Sequence, residues 1–147
     1  MTEVLDRKAD ILLVEDNEGD VILTTTAFAE GKIANTVHVC RSGEEAMTFL
    51  NKEGTFGDAP RPDLVLLDLN LPKMSGQEVL GEIKESDDLR NIPVVIMTSS
   101  SAERDIVQSY RLHANSYVVK PVGMDELIEI TNTIEAFWFK VVKTPTL

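Results

Sequence analysis

The chain is poor in cysteine, in basic residues and in long apolar runs, and each shortage removes a class of function. Cys40 is the only cysteine, so no internal disulfide can staple the fold and no thiol pair can do redox chemistry. It follows the alternating segment Val37-His38-Val39, where a partly buried structural thiol is the expectation. No stretch approaches the roughly 18 consecutive apolar residues of a membrane span. The start, Met1 to Asp10, is polar and acidic rather than a secretory leader. A cytoplasmic protein without a membrane partner is therefore expected. Lys and Arg number 14 against 25 Asp and Glu, for a net charge of −11. Such a balance disfavours the nucleic-acid backbone, whose binding demands clustered cations, and suits basic protein partners better. Also missing are Gly-rich phosphate cradles and a pair of ring-stacking aromatics, which counts against a nucleotide or flavin binder.

What the chain does have is a regular alternation. Its 147 residues, 43% of them apolar, suffice for one globular domain with a sizeable core. Short apolar runs at Ile11–Val14, Leu64–Leu67 and Ile92–Met97 are continuous, as expected of strands covered on both faces. Thr36–Cys40 and Ser116–Val119 add two shorter strands. Between them fall helical patterns. The first carries Val21, Ile22, Phe28 and Ala29 and is closed by Gly31. The second opens on Ser42 and Glu45, spaced as a capping box. Three more run from Ser75-Gly76 to about Glu85, from about Ala102 to Leu112, and from about Gly123 onward. The segment from Asn51 to Pro62 carries Gly54, Gly57, Pro60 and Pro62 and reads as a surface loop. Five strands alternating with five helices predict an α/β fold: a doubly wound, five-stranded parallel sheet in the order 2-1-3-4-5, flavodoxin-like, forming a three-layer sandwich.

In that architecture the loaded residues at strand ends meet. Parallel strands bring their carboxyl ends to one edge, and ligands of open α/β sheets bind in the crevice outside it. The first run ends in Glu15-Asp16, the third strand in Asp68, the fourth in Thr98 and the fifth in Lys120-Pro121. Three carboxylates held close repel one another and call for a divalent cation. An all-oxygen set with few carboxylates suits Mg²⁺, which keeps several waters and accepts phosphoryl oxygens. Lys120 supplies a cation, and the Thr98 hydroxyl a donor, for an anionic group in the same place. Taken singly, Asp16 would serve equally as a helix cap, Asp68 as the start of a loop, Lys120 as a solvated surface residue and Thr98 as a β-branched filler. Only the constellation carries specificity.

With those residues in view the sequence resembles a two-component response-regulator receiver domain. The resemblance rests on Glu15-Asp16-Asn17, on Asp68 within Leu67-Asp68-Leu69-Asn70-Leu71-Pro72 with Gly76, on Thr98, and on Lys120-Pro121. Order and spacing agree with the family as well. The implied organisation is a tail at 1–7, a receiver domain at 8–140 that includes the C-terminal helix, and a tail at 141–147. The implied function is that of a stand-alone regulator, a signalling phosphoprotein rather than an enzyme. Asp68 takes a phosphoryl group from the phosphohistidine of a sensor kinase, and only self-catalysed phosphotransfer and autodephosphorylation accompany it. The same resemblance implies that Asp16, Asp68 and the backbone carbonyl of Asn70 bind the metal, Glu15 acting through water, while Lys120 stabilises the opposite side. It further implies a cis peptide at Lys120-Pro121. Thr98 and Tyr117 form the implied switch, the hydroxyl moving toward the phosphoryl group and the ring rotating into the space it leaves. Tyr117 read alone is an ordinary edge aromatic.

The end of the chain is unusually apolar. Leu127, Ile130 and Ile134 are expected to pack on the sheet. Phe137, Trp138, Phe139 and Val141 continue toward its edge, where aromatic anchors favour an interface, with a homodimer expected first and a kinase contact second. The phrase Glu15-Asp16-Asn17-Glu18-Gly19-Asp20-Val21 and the ending Glu135 to Val142 are similar to regulators paired with bacterial phytochromes, so a phytochrome-type histidine kinase is the implied partner. Two rivals remain. A haloacid-dehalogenase-type phosphohydrolase also forms a phosphoaspartate, but it has a second Asp as acid/base where this chain has Asn70. A phosphate-independent interaction module would be expected to lose one of Asp16, Asp68 or Lys120, and all are present.

Overall fold

The computed structural model describes residues 8–31, 34–99, 114 and 116–143, with side chains of the last helix described through residue 133. Its elements in chain order are β1 (Ala9–Val14), α1 (Glu18–Ala29), β2 (Asn35–Cys40), α2 (Gly43–Leu50), a 3₁₀ turn (Gly54–Phe56), β3 (Leu64–Asp68), α3 (Gly76–Glu85), β4 (Val94–Thr98), β5 (Ser116–Val119) and α4 (Met124–Lys143). All five strands are parallel and lie in the order β2-β1-β3-β4-β5. This is the expected doubly wound sheet. Four of the five expected helices are among the described residues; the segment from Ala102 to Leu112 lies outside them. The helical backbone of α4 continues to Lys143, three residues beyond 140, the end of the domain read from the sequence.

The continuous apolar runs become central strands because both of their faces need cover. On one face Leu12, Val14, Val65, Leu67, Val94 and Ile96 pack with Ala46, Phe49, Val79, Leu80 and Ile83 from α2 and α3. On the other, Ile11, Leu13, Leu64, Leu66, Val95 and Met97 pack with Val21 and Phe28 of α1 and Leu127 and Ile130 of α4. Each fully buried aliphatic side chain contributes about 1.5–3 kcal/mol of transfer free energy. The edge strand β2 is only half-buried along most of its length. In α1 the buried stripe is Val21, Thr24 and Phe28, while Ile22 and Leu23 face outward at 56% and 50% exposure. Of the apolar set read from the sequence, Ile22 and Ala29 fall outside the i, i+3, i+7 row through Val21 and are exposed.

Two local signals shift. The run beginning at Ile92 becomes a strand only from Val94, because Pro93 has no N–H to give the ladder and offers its carbonyl to Val65 N–H at 2.9 Å instead. Ser42 does cap α2, accepting Glu45 N–H at 3.1 Å, but the Glu45 carboxylate takes Arg41 N–H rather than completing the box. The complete reciprocal box is at α3, where Ser75 Oγ accepts Glu78 N–H and Glu78 Oε1 accepts Ser75 N–H. Cys40, expected to be partly buried, is fully buried. Burial first, then the nearby Glu45 charge, pushes its thiol up to about 12.

Candidate functional site at the carboxyl edge of the sheet

Strand parity decides which residues meet. Side chains alternate faces along a strand, so Glu15 continues the row of Leu13, Asp68 that of Leu66, and Lys120 that of Val118, all on the α1/α4 side of the sheet. Thr98 continues the row of Ile96 on the opposite side. The parallel register then brings Glu15, Asp68 and Lys120 to one edge from three strands. The Lys120-Pro121 peptide is cis, as expected.

Lys120 is the hub. Its Nζ donates to Glu15 Oε1 at 3.0 Å and to Asp20 Oδ2 at 3.1 Å, and lies 3.3 Å from Asp68 Oδ2. Glu15 is fully buried and Asp68 is 1% exposed. The other Asp68 oxygen, Oδ1, accepts Asn70 N–H at 3.1 Å, which orients the carboxylate. Glu15 Oε2 likewise accepts Asn17 N–H at 3.1 Å. Among the described residues no buried side-chain polar atom lacks a hydrogen-bond partner, so the site is satisfied despite its excess of negative charge.

That excess is visible in the titration. Burial, opposed by the Lys120 hydrogen bond and reinforced by Asp68, raises the Glu15 carboxyl from 4.5 to about 7. For Lys120, burial works against the charged form, but Glu15, Asp68 and Asp20 outweigh it and hold the ammonium above its ordinary value. The ammonium is therefore a fixed cation, and Glu15 gives up its charge more easily than an ordinary carboxylate does.

Glu15, the exposed Asp16 and Asp68 each present an oxygen, and these three atoms lie within 4.8 Å of one another. This is a hard, all-oxygen donor set of the kind that suits a small divalent cation. Glu15 already uses one oxygen on Lys120 and the other on Asn17 N–H, whereas Asp16 faces solvent at the mouth of the site. Thr98 is fully buried at the end of β4, and its carbonyl accepts Lys120 N–H at 2.8 Å. Tyr117 pairs with Ile96, two residues before Thr98 and on the same face, and its half-buried ring packs against the α2/α3-side core. Asn70 Nδ2 reaches Ser99 Oγ at 3.4 Å.

The alternative reading of Asp16 as a helix cap does not hold. Asn17 caps α1, its Oδ1 accepting Asp20 N–H at 2.9 Å. Sequence reasoning also missed Asp20. Asp20 lies in the first turn of α1, three residues after the Asn17 cap, and only the folded structure brings it to Lys120. Gly76 is required by close approach: a Cβ there would lie 2.3 Å from the Asp68 carbonyl oxygen and 2.7 Å from Leu69 Cα. At the far end of α4 the side chains of Phe137, Trp138, Phe139 and Val141 lie outside the described residues. No helix among the described residues is long and apolar enough to cross a membrane.

Comparison with known proteins agrees with this geometry. The family model for the response regulator receiver domain matches residues 11–132. Response regulator Rcp1 of Synechocystis sp. is 44% identical over 135 residues, covering 92% of each chain. Its Mn²⁺-bound crystal structure superposes with a TM-score of 0.73, at 43% identity, over 95% of this chain and 98% of that one. The bacteriophytochrome response regulator AtBRR gives a TM-score of 0.82 and 47% identity, covering 90% of this chain and 96% of its own. The phosphorylated cyanobacterial phytochrome response regulator RcpA gives 0.75 and 45%, covering 92% and 96%.

Proposed function

Because this chain belongs to the response regulator receiver family, we propose that Asp68 accepts a phosphoryl group from a phytochrome-type sensor histidine kinase, with Mg²⁺ as the cofactor. Receiver regulators are signalling proteins rather than classical enzymes, and the homology of this chain to phytochrome response regulators supports a phytochrome-type partner. The observation that carries the proposal is the three-sided grip on Asp68: Asn70 N–H on one oxygen, Lys120 on the other, and the carboxylates of Glu15 and Asp16 beside it.

In this reading an Asp68 oxygen attacks phosphorus as the bond from phosphorus to the donor imidazole breaks. The product is an acyl phosphate, and the donor ring, protonated on its other nitrogen, keeps the electron pair of the broken bond and leaves as neutral imidazole. Hydrolysis by water later restores the carboxylate and releases inorganic phosphate. Lys120 donates to a phosphoryl oxygen in place of the Asp68 oxygen it now holds, in a nearly dry site where that interaction is strong. Asp16, Asp68 and the Asn70 carbonyl would hold the metal, with Glu15 at one remove. The metal, when bound, offsets charge on the phosphoryl oxygens. That Mn²⁺ binds Rcp1 and that RcpA is phosphorylated support both parts of the reading. Thr98 and Tyr117, on one face of neighbouring strands, are the elements that would relay the new charge. The output is a protein surface, and the apolar sequence of Phe137, Trp138, Phe139 and Val141 favours a second copy of this chain there.

Incubation with Mg²⁺ and acetyl phosphate, followed by intact mass and size-exclusion mass, tests this. The expected result is one phosphoryl adduct that is absent from Asp68→Asn, on a dimeric protein. An adduct that persists in Asp68→Asn, or none on the wild-type chain, overturns the assignment, and a monomer in both states overturns the dimer.

A further inference from the structure

We propose that Asp20 is a positioning residue for phosphotransfer, holding the Lys120 ammonium so that its third proton faces Asp68. The inference rests on the phosphotransfer reading and adds to it a residue that neither the sequence pattern nor that reading requires.

An ammonium has three N–H donors and no acceptor, carried on a flexible four-carbon stem. Free, it would sweep a wide volume. Here its donors meet three carboxylates, at 3.0 Å for Glu15, 3.1 Å for Asp20 and 3.3 Å for Asp68. Only Asp68 would change chemically in the reaction. Glu15 and Asp20 are the fixed pair, and one residue fixes both. The N–H of Asn17 donates to Glu15 Oε2, while Asn17 Oδ1 accepts the N–H of Asp20. The cap of α1 therefore sets the spacing of the two anchors. With two donors committed to anchors of fixed position, the direction of the third follows. The ordering entropy of Lys120 is then spent in folding rather than in the transition state.

Asp20 has a simpler use as an acid in the first turn of a helix, where it favours the dipole. The two roles separate by substitution. Asparagine removes the charge but keeps an oxygen acceptor at the same reach; alanine removes both. A dipole role predicts that both variants lose the same small amount of stability and phosphorylate alike. An aiming role makes them differ: phosphorylation by acetyl phosphate and Mg²⁺ falls by about tenfold in Asp20→Ala and by about twofold in Asp20→Asn.

The experiment is that rate comparison, with circular dichroism to establish folding. It is joined by the ¹H–¹⁵N signal of the Lys120 ammonium, which an immobilised, hydrogen-bonded NH₃⁺ shows and a freely exchanging one does not. The expected outcome is a signal present in wild type and Asp20→Asn and lost in Asp20→Ala, in step with the rates. Equal rates in all three chains overturn the proposal and leave the phosphotransfer reading standing. Equal acceleration of both variants also overturns it, because Asp20 would then act only as repulsive charge. Absence of a wild-type adduct overturns the phosphotransfer reading, and the proposal with it.

Discussion

The two edges of the sheet handle charge in opposite ways. At the amino edge, polar groups are tied largely to the backbone or in simple pairs: Asp63 accepts Asp10 N–H at 2.8 Å, Arg61 donates to the Asp88 carbonyl, Lys84 donates to the Arg90 carbonyl at 3.3 Å, and Arg90 pairs with Asp87 at 3.2 Å. These groups are partly or fully exposed, and each tie closes one local connection. At the carboxyl edge Glu15 and Asp68 are buried, and they share one ammonium with Asp20. A change of charge at the first edge disturbs at most an exposed or half-exposed pair, at the modest energies of such interactions. A charge at the second alters its neighbours. One edge closes the fold, while the other holds unbalanced charge ready for a ligand to complete.

The contrast breaks most severely at Gly76. Any Cβ there must displace the backbone at Asp68 and Leu69, so Gly76→Ala is expected to cost about 3 kcal/mol and to lower Asp68 phosphorylation along with it. Urea unfolding and the acetyl phosphate assay measure the two losses, and a variant as stable and active as wild type would contradict the close approach.

A smaller effect sharpens the contrast through pH. The Glu15 carboxyl sits at about 7 in the fold against 4.5 as its ordinary value, so the folded state binds its proton more tightly than the unfolded chain does. The resulting stabilisation is complete below 4.5 and is lost as pH rises through about 7. In EDTA the stability of the wild-type chain should therefore fall relative to Glu15→Gln between about pH 5 and pH 8, by on the order of 2 kcal/mol. A difference independent of pH would show that Glu15 ionises as an exposed acid does.

The smallest effect lies at the amino edge, where α2 ends in a Schellman motif. Lys52 N–H donates to the Phe49 carbonyl and Glu53 N–H to the Thr48 carbonyl, with Lys52 at φ 55°. Glycine is the usual residue in that left-handed position. Lys52→Gly should stabilise the protein by about 0.5 kcal/mol and leave phosphorylation unchanged. A loss of stability would mean that the lysine stem makes contacts that offset its backbone conformation.

Much of this was legible in residue order, and for a local reason. Continuous apolar runs can become only buried strands or buried helix segments; here their shortness and their alternation with helical patterns predicted the sheet order. Asp16, Asp68, Thr98 and Lys120 were legible because a parallel sheet places every strand end at one edge. The missed features depend on register and packing. Ile22 faces outward because the row through Val21 and Phe28 took the core. The full capping box formed at Ser75 rather than Ser42, since Arg41 N–H competed for Glu45. Strand β4 waits for Val94 because of the donor that Pro93 lacks. By itself, then, the sequence determined the alternation of elements and the set of residues at the carboxyl edge, since periodicity and composition act over a few residues. Only the tertiary structure decided that Lys120 is shared with Asp20, a hundred residues away, and that Glu15 is buried deeply enough to hold its proton near neutrality. Both follow from distances and desolvation that exist only once the strands are paired.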